Sequence, residues 1–178
     1  MSKKMVPLKF ANHMIGFREV PNEISILINV SNCPYRCDEC HSPELQGDNG
    51  LPLTIEALDG LITFYNLHGK VPITCICFMG DGGNMPEIGK LVKHCHDKGF
   101  LTCLYTGSTN VCEAVKCSDS TLDFIKVGTY MKEHGPLDSP TTNQKFYEIH
   151  YRGDTNGEEW FLLEDITNLF QKSKQDEN

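Results

Sequence analysis

The sequence has no long apolar run, no excess of basic residues and no internal repeat. Its apolar segments fall far short of the ~20 residues that a membrane-spanning helix needs, and residues 1–10 lack the apolar centre of a signal peptide. Sixteen Lys and Arg residues against 24 Asp and Glu residues give a formal net charge of −8. We therefore expect neither a membrane nor a nucleic acid among its partners.

Cysteine, in contrast, is abundant. The chain has nine cysteines in 178 residues, and an odd number cannot pair completely within one chain. A chain of this length can build its own hydrophobic core, and nothing in it indicates secretion, so a disulfide scaffold is not expected. We expect a reducing, cytoplasmic setting in which clustered thiols bind metal and scattered thiols pack as small apolar groups. The scattered set is Cys75, Cys77, Cys95, Cys103, Cys112 and Cys117.

Strand-like and helix-like segments alternate along the chain. The strands are expected at residues 24–30, 73–78, 101–105, 122–127 and 145–151, and the helices at 54–67, 84–98, 111–116 and 163–172. This alternation predicts a parallel α/β sheet with helices on its outer face, and the loops after the strands then meet at one edge. We expect one domain, residues 1–151, followed by a C-terminal extension, residues 152–178, that carries the last helix.

The most specific segment is the loop Cys33-Pro34-Tyr35-Arg36-Cys37-Asp38-Glu39-Cys40-His41. Its three thiols, separated by three and then two residues, can converge on one metal centre. Zinc on three cysteines and His41 is one alternative, but structural zinc loops normally split their ligands into two pairs, and His41 directly follows Cys40. An iron–sulfur cluster held by Cys33, Cys37 and Cys40 leaves one iron open, as a catalytic centre requires.

This cysteine spacing, in the loop after the first predicted strand, resembles the motif of the radical S-adenosylmethionine superfamily. The resemblance implies a partial parallel (β/α) barrel of about five to six strands with helices on the outer face. It also implies a 4Fe–4S cluster on Cys33, Cys37 and Cys40 whose open iron binds S-adenosylmethionine. One electron from an external donor then passes through the cluster and cleaves this cosubstrate to methionine and a 5′-deoxyadenosyl radical.

Two further segments resemble cosubstrate-binding motifs of the same superfamily. Met79-Gly80-Asp81-Gly82 is similar to a Gly-Gly-Glu/Asp-Pro motif that holds the amino group of S-adenosylmethionine, with Met79 and Gly82 replacing the first glycine and the proline. Tyr105-Thr106-Gly107 is similar to a Tyr/Trp-Thr-Gly segment of activating enzymes. The cosubstrate site that the resemblance implies consists of Glu39, Cys40, His41, Met79, Gly80, Asp81, Thr106 and Gly107.

Other segments narrow the resemblance to the activating proteins of anaerobic (class III) ribonucleotide reductases. These segments are His41-Ser42-Pro43-Glu44, Thr142-Asn143-Gln144 and residues 122–130, where Val127 replaces the usual Asp. The resemblance covers about residues 16–151 and implies that the protein generates a glycyl radical on the large reductase subunit. The alternatives are a small-molecule enzyme of the same superfamily, such as a deazaguanine-forming synthase, the activator of another glycyl-radical enzyme, and a non-catalytic metal-binding module.

Overall fold

A computed structural model describes residues 7–153 and 159–171. In that part of the chain the strands are β1 (Lys9–Gly16), β2 (Ser25–Val30), β3 (Leu51–Pro52), β4 (Cys75–Met79), β5 (Leu101–Tyr105), β6 (Phe124–Val127), β7 (Lys145–Gly153) and β8 (Glu159–Asp165). The α-helices are α1 (Ile55–His68), α2 (Met85–Asp97) and α3 (Val111–Cys117). Short 3₁₀ turns cover Pro43–Gln46 and Thr167–Leu169.

All eight of these strands form one mixed sheet in the order β3-β1-β2-β4-β5-β6-β7-β8. The central strands β2, β4, β5 and β6 are parallel, whereas β1 and β3 on one side and β7 and β8 on the other are antiparallel to their neighbours. The expected partial parallel (β/α) barrel is therefore wrong. A crossover helix is needed only between parallel strands, so the antiparallel additions widen the sheet without adding helices.

Capping residues start the three helices where the sequence predicts them. The Thr54 hydroxyl accepts a hydrogen bond from the Ala57 amide at 3.2 Å at the start of α1. At the start of α2 the Asn84 side chain accepts a hydrogen bond from the Glu87 amide, and at the start of α3 the Asn110 side chain accepts one from the Glu113 amide. The helices cover one face of the sheet, where Leu58 and Ile88 pack with strand residues such as Phe78. Of the helices described, none has both the length and the apolar character that a bilayer crossing demands.

The opposite face of the sheet has its own core, and much of that core is sulfur. Cys75, Cys77 and Cys103 are fully buried there against Phe146 and Ile166. Burial raises the pKa of the Cys75 and Cys103 thiols, which keeps them protonated. Because the parallel strands are buried on both faces, their sequences are mostly apolar and do not alternate between apolar and polar residues.

The expected C-terminal helix at residues 163–172 is wrong. Glu159–Asp165 is the strand β8, which pairs antiparallel with β7, and a single 3₁₀ turn follows at Thr167–Leu169. Phe161 packs against Tyr151 with ring centroids 6.4 Å apart, while Trp160, Leu162 and Leu163 are exposed. β7 continues through Gly153, past the domain boundary expected at residue 151. Residue 172, the last of that helix, lies outside the described residues, as does much of the expected extension.

Candidate functional site

The carboxyl ends of β4, β5 and β6 and the loop after β2 enclose a cavity of about 330 Å³. All three thiols of the cysteine loop, Cys33, Cys37 and Cys40, line this cavity. The remaining walls come from the ends of the strands and from the loop between β6 and β7, and include Met79, Gly80, Tyr105, Thr106, Gly107, Lys126, Gly128, Thr129, Tyr130, Pro136 and Leu137. The parallel part of the sheet thus brings the loops after four strands to one place.

The cysteine loop has an irregular backbone that turns its thiols toward the cavity. At its start, the Cys33 amide donates a hydrogen bond to the Leu45 carbonyl at 2.9 Å. Arg36 and Glu39 have φ values of +46° and +53°, which lie in the left-handed region that residues other than glycine rarely adopt. Such a conformation costs roughly 1–2 kcal/mol per residue and persists only where surrounding contacts enforce it.

The thiols influence one another electrostatically. Burial is the main cause that raises the pKa of the Cys33 thiol, and the backbone amide of Tyr35 partly opposes it. Negative charge on Asp81, Cys37 or Cys40 raises that pKa further. Without a cation the Cys33 thiol therefore resists ionisation, and a bound metal centre would supply the compensating positive charge.

The spacing of the three sulfur atoms does not suit a single zinc ion. Zinc binds thiolates at about 2.3 Å, so its ligand atoms must lie within about 4.6 Å of one another. Among the described residues, the group whose ligand atoms all lie within 4.8 Å of one another is Glu148, His150 and Glu164, on β7 and β8 and outside this cavity. The cysteine sulfurs of a polynuclear cluster are not held to that limit, because each thiolate binds a different iron.

Six of the eight residues expected to hold the cosubstrate line the cavity: Cys40, His41, Met79, Gly80, Thr106 and Gly107. His41 packs its ring edge-on against Tyr130, with centroids 5.1 Å apart. Gly80 has a φ of +125°, a conformation open to glycine alone, so its backbone is exposed to the cavity without a side chain. The structure thus brings most of the expected cosubstrate site together with the three thiols.

The other two expected residues, Glu39 and Asp81, lie elsewhere. The Glu39 carboxylate is at the outer rim, where it forms an exposed ion pair with Lys132 at 2.5 Å. Asp81 is buried behind the cavity wall, with 3% of its surface exposed. Its Oδ2 accepts hydrogen bonds from the hydroxyls of Tyr35 and Thr106, each at 2.5 Å, and its Oδ1 accepts one from the Gly83 amide at 2.8 Å.

Comparison of the chain with protein-family models, with characterised proteins and with solved structures found no match. The chemistry of the site is therefore inferred from its own residues.

Lys126 also lines the cavity, and no motif in the sequence predicts a role for it. It interrupts the apolar strand β6, and its ammonium donates a hydrogen bond to the Gly128 carbonyl at 2.9 Å. Burial lowers its pKa to about 8, while negative charge on Cys37 and Cys33 acts in the opposite direction. A single cation in an otherwise apolar strand is the sequence signal that could have identified it, because a buried lysine normally has an anionic partner.

Proposed function

We propose that this protein is a radical S-adenosylmethionine activase that generates a glycyl radical on an anaerobic ribonucleotide reductase. The observation that carries the proposal is the convergence of Cys33, Cys37 and Cys40 on one cavity. The Asn143-Gln144 segment supports the choice of activase within the superfamily. Gln144 is a buried wall residue whose amide donates to the Gly128 carbonyl at 3.3 Å.

Each side of the cavity offers a different chemical group to the cosubstrate. Cys33, Cys37 and Cys40 would hold a 4Fe–4S cluster through three of its irons. When bound, that cluster supplies the electron that cleaves S-adenosylmethionine. The Lys126 ammonium can bind the carboxylate of the cosubstrate, and the backbone of Gly80 can accept or donate hydrogen bonds. Tyr105 is held by a hydrogen bond from its hydroxyl to the Glu19 carbonyl at 2.6 Å and offers its ring as an apolar wall.

The reaction removes one hydrogen atom from the α-carbon of a glycine in the partner. One electron and one S-adenosylmethionine are consumed, and the products are methionine, 5′-deoxyadenosine and the glycyl radical. A second hollow of about 580 Å³ adjoins the cavity at Tyr130, with Asp38, Glu39, Lys132 and Glu133 around it. This hollow supports a substrate that is a loop of another protein, because such a loop needs an approach wider than a small molecule does.

The experiment is anaerobic reconstitution of the purified protein, followed by metal analysis and product analysis. Wild type and the Cys112→Ala control, whose thiol is exposed and outside the cavity, should each bind about four irons and release methionine on reduction. Cys40→Ala should lose both properties. One equivalent of zinc without iron would overturn the proposal and favour a non-catalytic metal-binding module.

Whether cosubstrate cleavage depends on the reductase subunit distinguishes an activase from a small-molecule enzyme. Cosubstrate cleavage that is coupled to the reductase subunit supports the proposal. Rapid cleavage with a new diffusible product and no reductase would contradict it and favour the small-molecule alternative. Because oxygen destroys an exposed iron–sulfur cluster, we place the activity in an anaerobic, reducing cytoplasm with an external one-electron donor.

A further inference from the structure

Tyr35, between Cys33 and Cys37, joins the cysteine loop to the ends of two strands. Its hydroxyl donates a hydrogen bond to Asp81 Oδ2 at 2.5 Å and lies 3.0 Å from the Thr106 hydroxyl, which itself bonds to the same carboxylate oxygen. Asp81 follows β4 and Thr106 follows β5. One buried carboxylate therefore connects the middle of the loop to both strands.

The ring of Tyr35 is held as tightly as its hydroxyl. It lies directly over Gly107, where an added Cβ would approach the Tyr35 Cγ to 2.4 Å. No side chain larger than hydrogen fits at residue 107 while the ring is in this position. The absence of a side chain at Gly107 thus leaves the space that the Tyr35 ring occupies. The Asp81 carboxylate fixes the direction of the Tyr35 hydroxyl.

Asp81 has little capacity left for a ligand. Both of its carboxylate oxygens accept hydrogen bonds from the protein, and its side chain does not line the cavity. To reach the amino group of a cosubstrate, the carboxylate would have to give up the hydrogen bonds that it accepts from Tyr35 and Thr106. The hydrogen bonds of Asp81 are therefore better suited to holding the cysteine loop than to binding a ligand.

We infer that Asp81 is a positioning residue that acts through Tyr35 to hold the cysteine loop in its metal-binding conformation. This inference rests on the proposed function only for the identity of the metal centre that the loop would bind. The hydrogen bonds that hold the loop do not depend on it. The strained backbone at Arg36 and Glu39 is the reason for the clamp, since a loop with two left-handed residues needs tertiary contacts to keep its thiols directed inward.

The first test uses the reduced, metal-free protein and measures the rate at which iodoacetamide alkylates Cys37 and Cys40, with exposed Cys112 as internal reference. These two thiols are chosen because the Asp81 charge acts directly on Cys33. Tyr35→Phe and Asp81→Ala should each raise the two rates about fivefold, as expected for loss of one hydrogen-bonded tether. The double variant should be no faster than Asp81→Ala alone, because the two residues act as one unit.

Asp81→Asn separates positioning from direct binding. An asparagine can still accept the Tyr35 hydrogen bond, so alkylation and the KM for S-adenosylmethionine should return toward wild type. A residue that paired with the cosubstrate's ammonium would lose its function equally in Asp81→Asn and Asp81→Ala. Wild-type alkylation rates in Asp81→Ala, together with a raised KM that asparagine does not rescue, would overturn the inference.

Two controls remove a hydrogen-bonding group far from the site. Tyr65→Phe removes a hydroxyl that contacts His13, and Asp59→Ala removes a carboxylate that contacts His94. Both should leave the alkylation rates of Cys37 and Cys40 unchanged, and a rise in either would contradict a clamp specific to Tyr35. Alkylation is measured on the metal-free protein. A wild-type protein that binds no iron would therefore contradict the proposed function without affecting the alkylation test of the Tyr35–Asp81 contact.

Discussion

Lys126 and Cys37 line the same cavity, and negative charge on the thiol acts directly on the pKa of the lysine. This juxtaposition of a cation and a thiol that we propose as a metal ligand is the feature that distinguishes the cavity from an ordinary cleft. A half-buried ammonium beside these thiols can orient an anionic group of a bound molecule, and we propose that it does so for the carboxylate of S-adenosylmethionine.

Replacement of Lys126 by Met should weaken cosubstrate binding. Charged hydrogen bonds contribute about 1.5–3 kcal/mol, so the KM for S-adenosylmethionine should rise roughly 10- to 100-fold, while the iron content stays at the wild-type level. Lys126→Arg should retain part of the affinity. Cosubstrate cleavage kinetics under anaerobic conditions measure the effect, and Lys145→Met, at an exposed lysine paired with Asp165, is the matched control. An unchanged KM in Lys126→Met would exclude the assigned role.

Gly107→Ala should displace the Tyr35 ring and reduce cluster retention. Overpacking of this kind typically costs about 1–3 kcal/mol, and here the strain falls on the cysteine loop. Gly60→Ala is the control, because nothing lies within 4 Å of an added Cβ in this exposed position of α1. It should raise the unfolding free energy by about 0.5–1 kcal/mol. Iron content and urea unfolding measure the two effects, and full iron retention in Gly107→Ala would count against the clamp.

The carboxylate of Asp123 predicts a dependence of stability on pH. Burial raises its pKa above the ordinary value, although it accepts hydrogen bonds from the Thr102 amide at 2.8 Å and the Thr102 hydroxyl at 3.0 Å. The folded state therefore binds the proton more readily than the unfolded state, and this contribution to stability falls as pH rises from the unfolded pKa through the folded pKa.

Asp123→Asn removes that dependence while keeping an acceptor for Thr102. Its unfolding free energy relative to wild type should be higher at about pH 7 than at about pH 4. Urea unfolding of the metal-free protein at the two pH values measures the difference. A variant whose relative stability is the same at both values, or lower at neutral pH, would contradict the assignment.

The segment after β8 should contribute to the core of the sulfur-rich face. Ile166 is buried there, and the neighbouring Phe170 ring packs against Phe146 with centroids 4.7 Å apart. Ile166→Ala should lower the unfolding free energy by about 2–4 kcal/mol. Leu169→Ala, at a side chain that is 58% exposed, should change it by less than about 0.5 kcal/mol. Equal effects of the two substitutions would show that this segment does not pack as described.

The central strands and the gathering of the cysteine loop with Thr106 and Gly107 could be predicted from the sequence. Local signals suffice for these features, since apolar strands, capping residues at Thr54 and Asn84 and the common edge of parallel strands follow from short-range rules. The antiparallel strands at the sides of the sheet could not be predicted, because their pairing depends on distant partners. The apolar run at residues 160–163 fits a helix or a strand, and its contact with β7 decides between them.

The role of Asp81 shows a second limit of sequence patterns. Its position after β4 matches a ligand-binding motif, but its hydrogen bond to Tyr35 joins residues 46 positions apart. A sequence motif shows which side chain follows a strand. It does not show whether that side chain already accepts hydrogen bonds from other residues of the protein. The same limit applies to Lys126, whose significance depends on the distant thiols of Cys33 and Cys37.

The most direct test of the proposed function is electron paramagnetic resonance of the reductase subunit after anaerobic incubation with this protein, S-adenosylmethionine and a one-electron reductant. We predict a glycyl radical signal with wild type and with Cys112→Ala, and none with Cys33→Ala, Cys37→Ala or Cys40→Ala. A wild-type protein that carries its full complement of iron and cleaves the cosubstrate, yet leaves the reductase without a radical, would contradict the proposed function.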